Sequence, residues 1–147
     1  MHRRSFLACL LIAGSSPLMA SEVGRWYSDD GYAIGGYDPV AYHAENRPVK
    51  GDTALSLRWQ GTEWLFSSAE NRAIFEADPM RYAPQYGGYC AFAVSQGYTA
   101  KTDPDAFSVV DGRLFLNYSR RVRKMWERDV PGHIASADKN WPSLAPE

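Results

Sequence analysis

Few side chains in this sequence are equipped for chemistry, and they cluster in two stretches. Cys90 follows Gly87-Gly88-Tyr89; a thiolate is both a soft-metal donor and a nucleophile, and adjacent glycines permit backbone angles that other residues avoid. His43 closes the run Asp38-Pro39-Val40-Ala41-Tyr42-His43 and offers an imidazole. Cys90 and His43 are the expected metal-binding pair, for a transition metal with copper first, and Cys90 is expected partly buried with His43 nearer to it than His133. The alternatives are a cysteine that is simply a small buried hydrophobe and a histidine on an exposed loop. His133, Met80 and Met125 are lesser donors, Met125 fitting an apolar helix stripe that places it in the core. Tyr37, Tyr42, Tyr82, Tyr86 and Tyr89 crowd the same two stretches; amphipathic packing accounts for most tyrosines, and Tyr86 and Tyr89 are the expected lining of a small-ligand pocket. Asp38, ahead of Pro39, is expected to hold a turn through its own backbone.

The elements that position these residues follow from period and punctuation. Leu55, Leu57 and Trp59 alternate with Ser56, Arg58 and Gln60, and Glu63-Trp64-Leu65-Phe66 follows a Gly61-Thr62 turn, which predicts a β-hairpin. Ser67 with Glu70 three residues later reads as a capping box for a short helix to Ala77, stopped by Pro79. Pro84 to Gly88 reads as a loop or tight turn, and Tyr89 to Val94 has strand-like composition. Phe107 to Val110 and Arg113 to Tyr118 flank Asp111-Gly112, a strong hairpin signal. Val122, Met125 and Trp126 then recur at helical spacing among basic residues, and Pro131 opens a last helix that Pro142 ends. The expected fold class is α+β: a small antiparallel sheet built from two hairpins, with short helices packed against it and a helical C-terminus.

Met1-His2-Arg3-Arg4 followed by the uncharged run Ser5 to Ser21 has the pattern of a signal peptide. The expected division is a leader over 1–20 and a single domain over 21–147, in a periplasmic or otherwise exported protein. Arg3-Arg4-Ser5-Phe6-Leu7 also resembles a twin-arginine signal, so the export route stays open. Removing that leader takes two arginines and no acid, leaving 14 of the 16 basic residues against 17 acids, a net of −3. Neither a nucleic-acid partner nor stable membrane insertion after cleavage is expected from such a chain. Of the two cysteines, Cys9 lies in the leader, so Cys90 has no partner for an internal disulfide. The five tryptophans, all beyond residue 20, point to an aromatic core.

Gly36-Tyr37-Asp38-Pro39-Val40-Ala41-Tyr42, Trp64-Leu65-Phe66, Asn71 and Phe75 to Tyr82 resemble the YHS-domain family. Metal-associated members are similar but carry cysteines where this chain has Ala41, Ser67 and Asn71, so the resemblance implies that the usual cysteine site is absent. From about Ala33 to Leu144, including Tyr86-Gly87-Gly88-Tyr89-Cys90-Ala91 and Asp111-Gly112-Arg113 to Tyr118, the chain is similar to a bacterial exported subfamily of YHS domain-containing proteins. Some of its members are described as selenoproteins, which implies chalcogen chemistry at the position of Cys90. Hydrolase, phosphate-loop, haem and dinucleotide motifs are missing. The expected function is therefore non-enzymatic binding of a transition metal, copper first, or of a metal-containing or other small ligand around Cys90. A thiol-redox protein using Cys90 and a structural or interaction module of the envelope are the alternatives, and the sequence names no protein partner.

Overall fold

The computed structural model describes residues 25–146; the leader, Cys9 and the export signal lie outside them. Two short strands, β1 (Ser28–Asp29) and β2 (Tyr32–Ala33), precede α1 (Pro39–Glu45). β3 (Asp52–Trp59) and β4 (Thr62–Phe66) lead into α2 (Ala69–Ala77) and α3 (Pro79–Tyr82). After a 3-10 turn at Gln85–Gly88 come α4 (Ala91–Ser95), β5 (Asp103–Val110), β6 (Arg113–Asn117), α5 (Arg120–Glu127) and α6 (Val130–Leu144). The fold is α+β, as expected. Both hairpins form, but in separate sheets: β1-β2-β4-β3, with β2 parallel to β4, and the two-stranded β5-β6.

Each hairpin carries its own apolar cluster. Alternation turns Leu55, Leu57 and Trp59 toward Trp26, Val40, Trp64, Phe66 and Phe75, which pack under α2. Each fully buried ring there contributes about 1.5–3 kcal/mol. Phe115 of β6 packs with Ala91 and Val94 of α4, Trp126 of α5 and Ala137 of α6 in a second cluster. Ile34, Tyr42, Leu114 and Leu116 form a third that draws on both parts of the chain. The β5-β6 turn is the one its Asp-Gly pair demands, with φ of 51° at Asp111 and 76° at Gly112.

Several local expectations are corrected. Tyr89 to Val94 is not a strand: Cys90 caps α4, whose Ala91 and Val94 pack in the second cluster. Asn140 of α6 donates to the Val94 and Ser95 carbonyls and closes that helix; a short apolar run does not fix its own period, and the contact decides. Ser68, not Ser67, caps α2 by accepting the Asn71 N–H at 3.0 Å, because the Ser67 hydroxyl is committed elsewhere. Met125 lies outside the core at 37% exposure, Trp126 having taken the inward position on α5. The last helix continues through Pro142 to Leu144.

Gly51 faces the β3-β4 hairpin where a side chain does not fit. A Cβ there would stand 2.5 Å from Leu65 Cβ and 2.6 Å from the Leu65 carbonyl carbon. Gly51→Ala is expected to destabilise the fold by about 1–3 kcal/mol, as overpacking does, read as a lowered urea midpoint at unchanged slope; an unchanged midpoint would show that the strand moves aside.

Candidate functional site

Asp38 is wholly buried and does more than hold a turn. It caps α1, its Oδ1 accepting the N–H groups of Val40 at 2.9 Å and Ala41 at 3.2 Å. Its Oδ2 accepts the Ser67 N–H at 2.8 Å, the Ser67 hydroxyl at 2.7 Å and the Asn71 amide at 2.8 Å. All five partners donate, which suits a group that only accepts. The three positions where metal-associated YHS domains carry cysteine therefore do converge, but onto a carboxylate whose oxygens are consumed by hydrogen bonds. Ala41 has no donor, Ser67 and Asn71 are hard oxygen and amide groups already engaged, and a soft metal does not fit here.

Cys90 is buried at 1% exposure rather than partly buried. Its thiol faces Asn117 Oδ1 at 3.5 Å, and its sulfur accepts the Tyr118 N–H at 3.2 Å. Burial pushes the thiol pKa up, while N–H groups of Ala93, Tyr118 and Phe92 pull the other way. Asn117 Oδ1 also accepts the Phe92 N–H at 3.0 Å, and its Nδ2 is buried with no hydrogen-bond partner among the described residues. Cys90 is nonetheless among the residues that line a cavity of about 370 Å³ between α4 and α5, together with Phe92, Tyr98, Tyr118, Val122 and Met125.

The two histidines lie in different surroundings. His43 sits on α1, not on a loop; its Nε2 lies 3.2 Å from the Tyr82 carbonyl and its ring stands edge-on to Tyr82. Burial holds its pKa below the ordinary value and the Arg81 cation adds to this, against the Tyr82 carbonyl. His133 is the one that meets the helix Cys90 caps, its Nδ1 3.1 Å from Ser95 Oγ and its ring against Phe92. Among the described residues no group of three or more His, Cys, Asp or Glu side chains gathers to hold a metal ion.

Tyr86 belongs to a different cavity from Cys90, and Tyr89, expected to line a pocket with it, lines neither of these two cavities. Tyr86 lines a cleft of about 270 Å³ with Trp26, Trp141 and Asp138, and its hydroxyl donates to Asp138 Oδ1 at 2.8 Å. Arg113 donates to the same oxygen at 2.7 Å; burial pushes the Asp138 carboxyl up, but the hydrogen bonds from Arg113 and Tyr86 and the Arg113 charge together hold it below its usual range. Tyr89 packs its ring against Tyr27 and Trp141, and burial, with Tyr27 adding, pushes its phenol up to about 12. The cavity beside Cys90 escaped sequence reasoning in its other walls: Phe92, Tyr98, Tyr118 and Val122 carry no signal beyond being apolar or aromatic.

The family model described as YHS domain matches residues 40–86, from α1 to the turn before Cys90. No curated protein and no solved structure matches the chain.

Asp38→Asn puts an amide N–H₂ where two or three donors already point. A loss of about 2–4 kcal/mol is expected from buried groups left unpaired, measured by denaturant unfolding; a loss under 0.5 kcal/mol would mean the network rearranges freely. For His43, the folded state favours the neutral ring, so the unfolded chain binds the proton first. Its contribution is complete above about pH 6.5 and declines as pH falls through the depressed folded value. Unfolding free energy should therefore fall between pH 7.5 and 5.5 by less in His43→Gln than in the native chain, and an identical fall in both would refute the assignment.

Proposed function

We propose that this chain is a non-enzymatic, exported binding protein whose ligand seats on Cys90, and that the ligand is a transition metal, cuprous copper first, or a small molecule carrying one. The observation that carries the reading is that Cys90 and Met125, both sulfur-bearing residues, line one cavity. Thiolate and thioether donors together select cuprous copper over harder ions. The YHS match supports a metal role in general, since the family resemblance includes metal-associated members. The leader pattern supports export. Cys90 and Met125 would hold the metal, with His43 engaged at Tyr82 and taking no part. Bound copper would supply a soft Lewis-acid centre. The chain's own contribution is to keep the sulfur dry and to direct the Tyr118 N–H at it. Because the thiol must lose its proton and burial resists that, affinity should rise with pH. The thiol-redox alternative asks for a thiolate of lowered pKa, and burial pushes the Cys90 thiol the other way.

Purified chain titrated with cuprous ion against a coloured chelator should take up about one equivalent. Cys90→Ser should abolish this uptake in a variant that remains folded at the titration temperature, and Met125→Leu should weaken it with unchanged thermal unfolding. Uptake by Cys90→Ser equal to that of the native chain, or none by the native chain, would overturn the proposal.

A further inference from the structure

The Cys90 cavity is far larger than two sulfur donors and an ion require. Metal–sulfur bonds are about 2.3 Å long, whereas about 370 Å³ falls in the range of small-molecule pockets, roughly 300–1,000 Å³. Every side chain lining it is uncharged. Its mouth is unusual for a surface: Tyr98 at 53%, Tyr118 at 47% and Met125 at 37% exposure are three of the five exposed large apolar side chains among the described residues. Exposed apolar groups gathered at one opening mark a binding site more often than chance scatter.

Cationic residues flank the residues that line the cavity. The Lys101 ammonium lies 5.6 Å from the centre of the Tyr118 ring, and its neighbour Ala100 lines the cavity. On α5, Arg121 and Lys124 precede the lining residues Val122 and Met125 directly, and Arg121 stands one helical turn before Met125. Elsewhere on that helix the cations are neutralised, Arg120 by Asp105 at 3.6 Å and Arg123 by Glu127 at 2.9 Å. Lys101, Arg121 and Lys124 have no ion pair among the described residues, and all three are exposed.

We infer that the cavity takes a small molecule with an apolar body and one anionic group, a carboxylate or sulfonate, the body entering between α4 and α5 and the anion resting on Lys101 with Arg121 beside it. This deepens the reading of the Cys90 cavity as the ligand site and depends on it. It also accounts for the volume, since a ligand of this kind fills space that a bare ion leaves open. The uncharged wall excludes a second charge from the interior, and the cations at the rim set the orientation of entry.

Two fluorescent probes of nearly the same shape test it on the folded chain. 8-Anilino-1-naphthalenesulfonate carries an anion, and N-phenyl-1-naphthylamine does not. The native protein should bind one equivalent of the sulfonate about tenfold more tightly than the neutral amine, as a nearby cation allows. The double variant Lys101→Glu, Arg121→Glu should erase that preference and leave the neutral probe unchanged. Met125→Trp, a filling substitution at an exposed wall position, should weaken both probes with unchanged thermal unfolding. Equal affinities for the two probes, both reduced by Met125→Trp and neither changed by the double variant, would overturn the anionic assignment while keeping the cavity. Binding of either probe that ignores Met125→Trp would overturn the cavity itself as the ligand site.

Discussion

A single buried carboxylate joins the parts of the first half of this protein. Asp38 receives hydrogen bonds from the start of α1, from Ser67 at the end of β4 and from Asn71 within α2. A charge-bearing group at 0% exposure is costly unless its oxygens are paired. Here the pairing requires three chain segments to arrive together, so helix, hairpin and second helix are fixed relative to one another by one side chain. Positions that serve soft-metal chemistry in similar domains serve geometry in this one. The metal role proposed above therefore rests on Cys90, which lies beyond the residues that match the family model.

The second half is organised around small contacts rather than a central charge. α4 has only five residues, yet its Ala91, Ala93 and Val94 are buried and its last carbonyls are met by Asn140. Cys90 is held at its start by Asn117 and Tyr118 of the neighbouring chain segment. The same packing that raises the thiol's pKa places Cys90 on the cavity that α5 borders, with Trp126 turned inward and Met125 outward. Site and core are thus two outcomes of one helix orientation.

What the residues disclosed beforehand was local. The alternation of Leu55, Leu57 and Trp59 and the Asp111-Gly112 pair were legible because strand period and turn chemistry are written within a few residues. α1 was not foreseen, since seven residues beginning at Pro39 are too few to show a period. The choice between Ser67 and Ser68 as helix cap depended on Asp38, 29 residues earlier in the chain for Ser67. Cys90 and Met125 could each be nominated as donors by type, but their meeting in one cavity is a property of how α4 and α5 pack. His43, the expected partner of Cys90, instead meets Tyr82.

The first aromatic cluster has an optical consequence. Trp26, Trp59 and Trp64 stand with ring centres 5.0, 5.1 and 5.6 Å apart, close enough for their excited states to mix, while Trp126 and Trp141 belong to the second cluster. The trio should accordingly contribute a coupled indole signal to the circular dichroism, confined in origin to one half of the molecule. Nature has placed a built-in spectroscopic marker on the half that holds the buried carboxylate, separate from the half that holds the thiol.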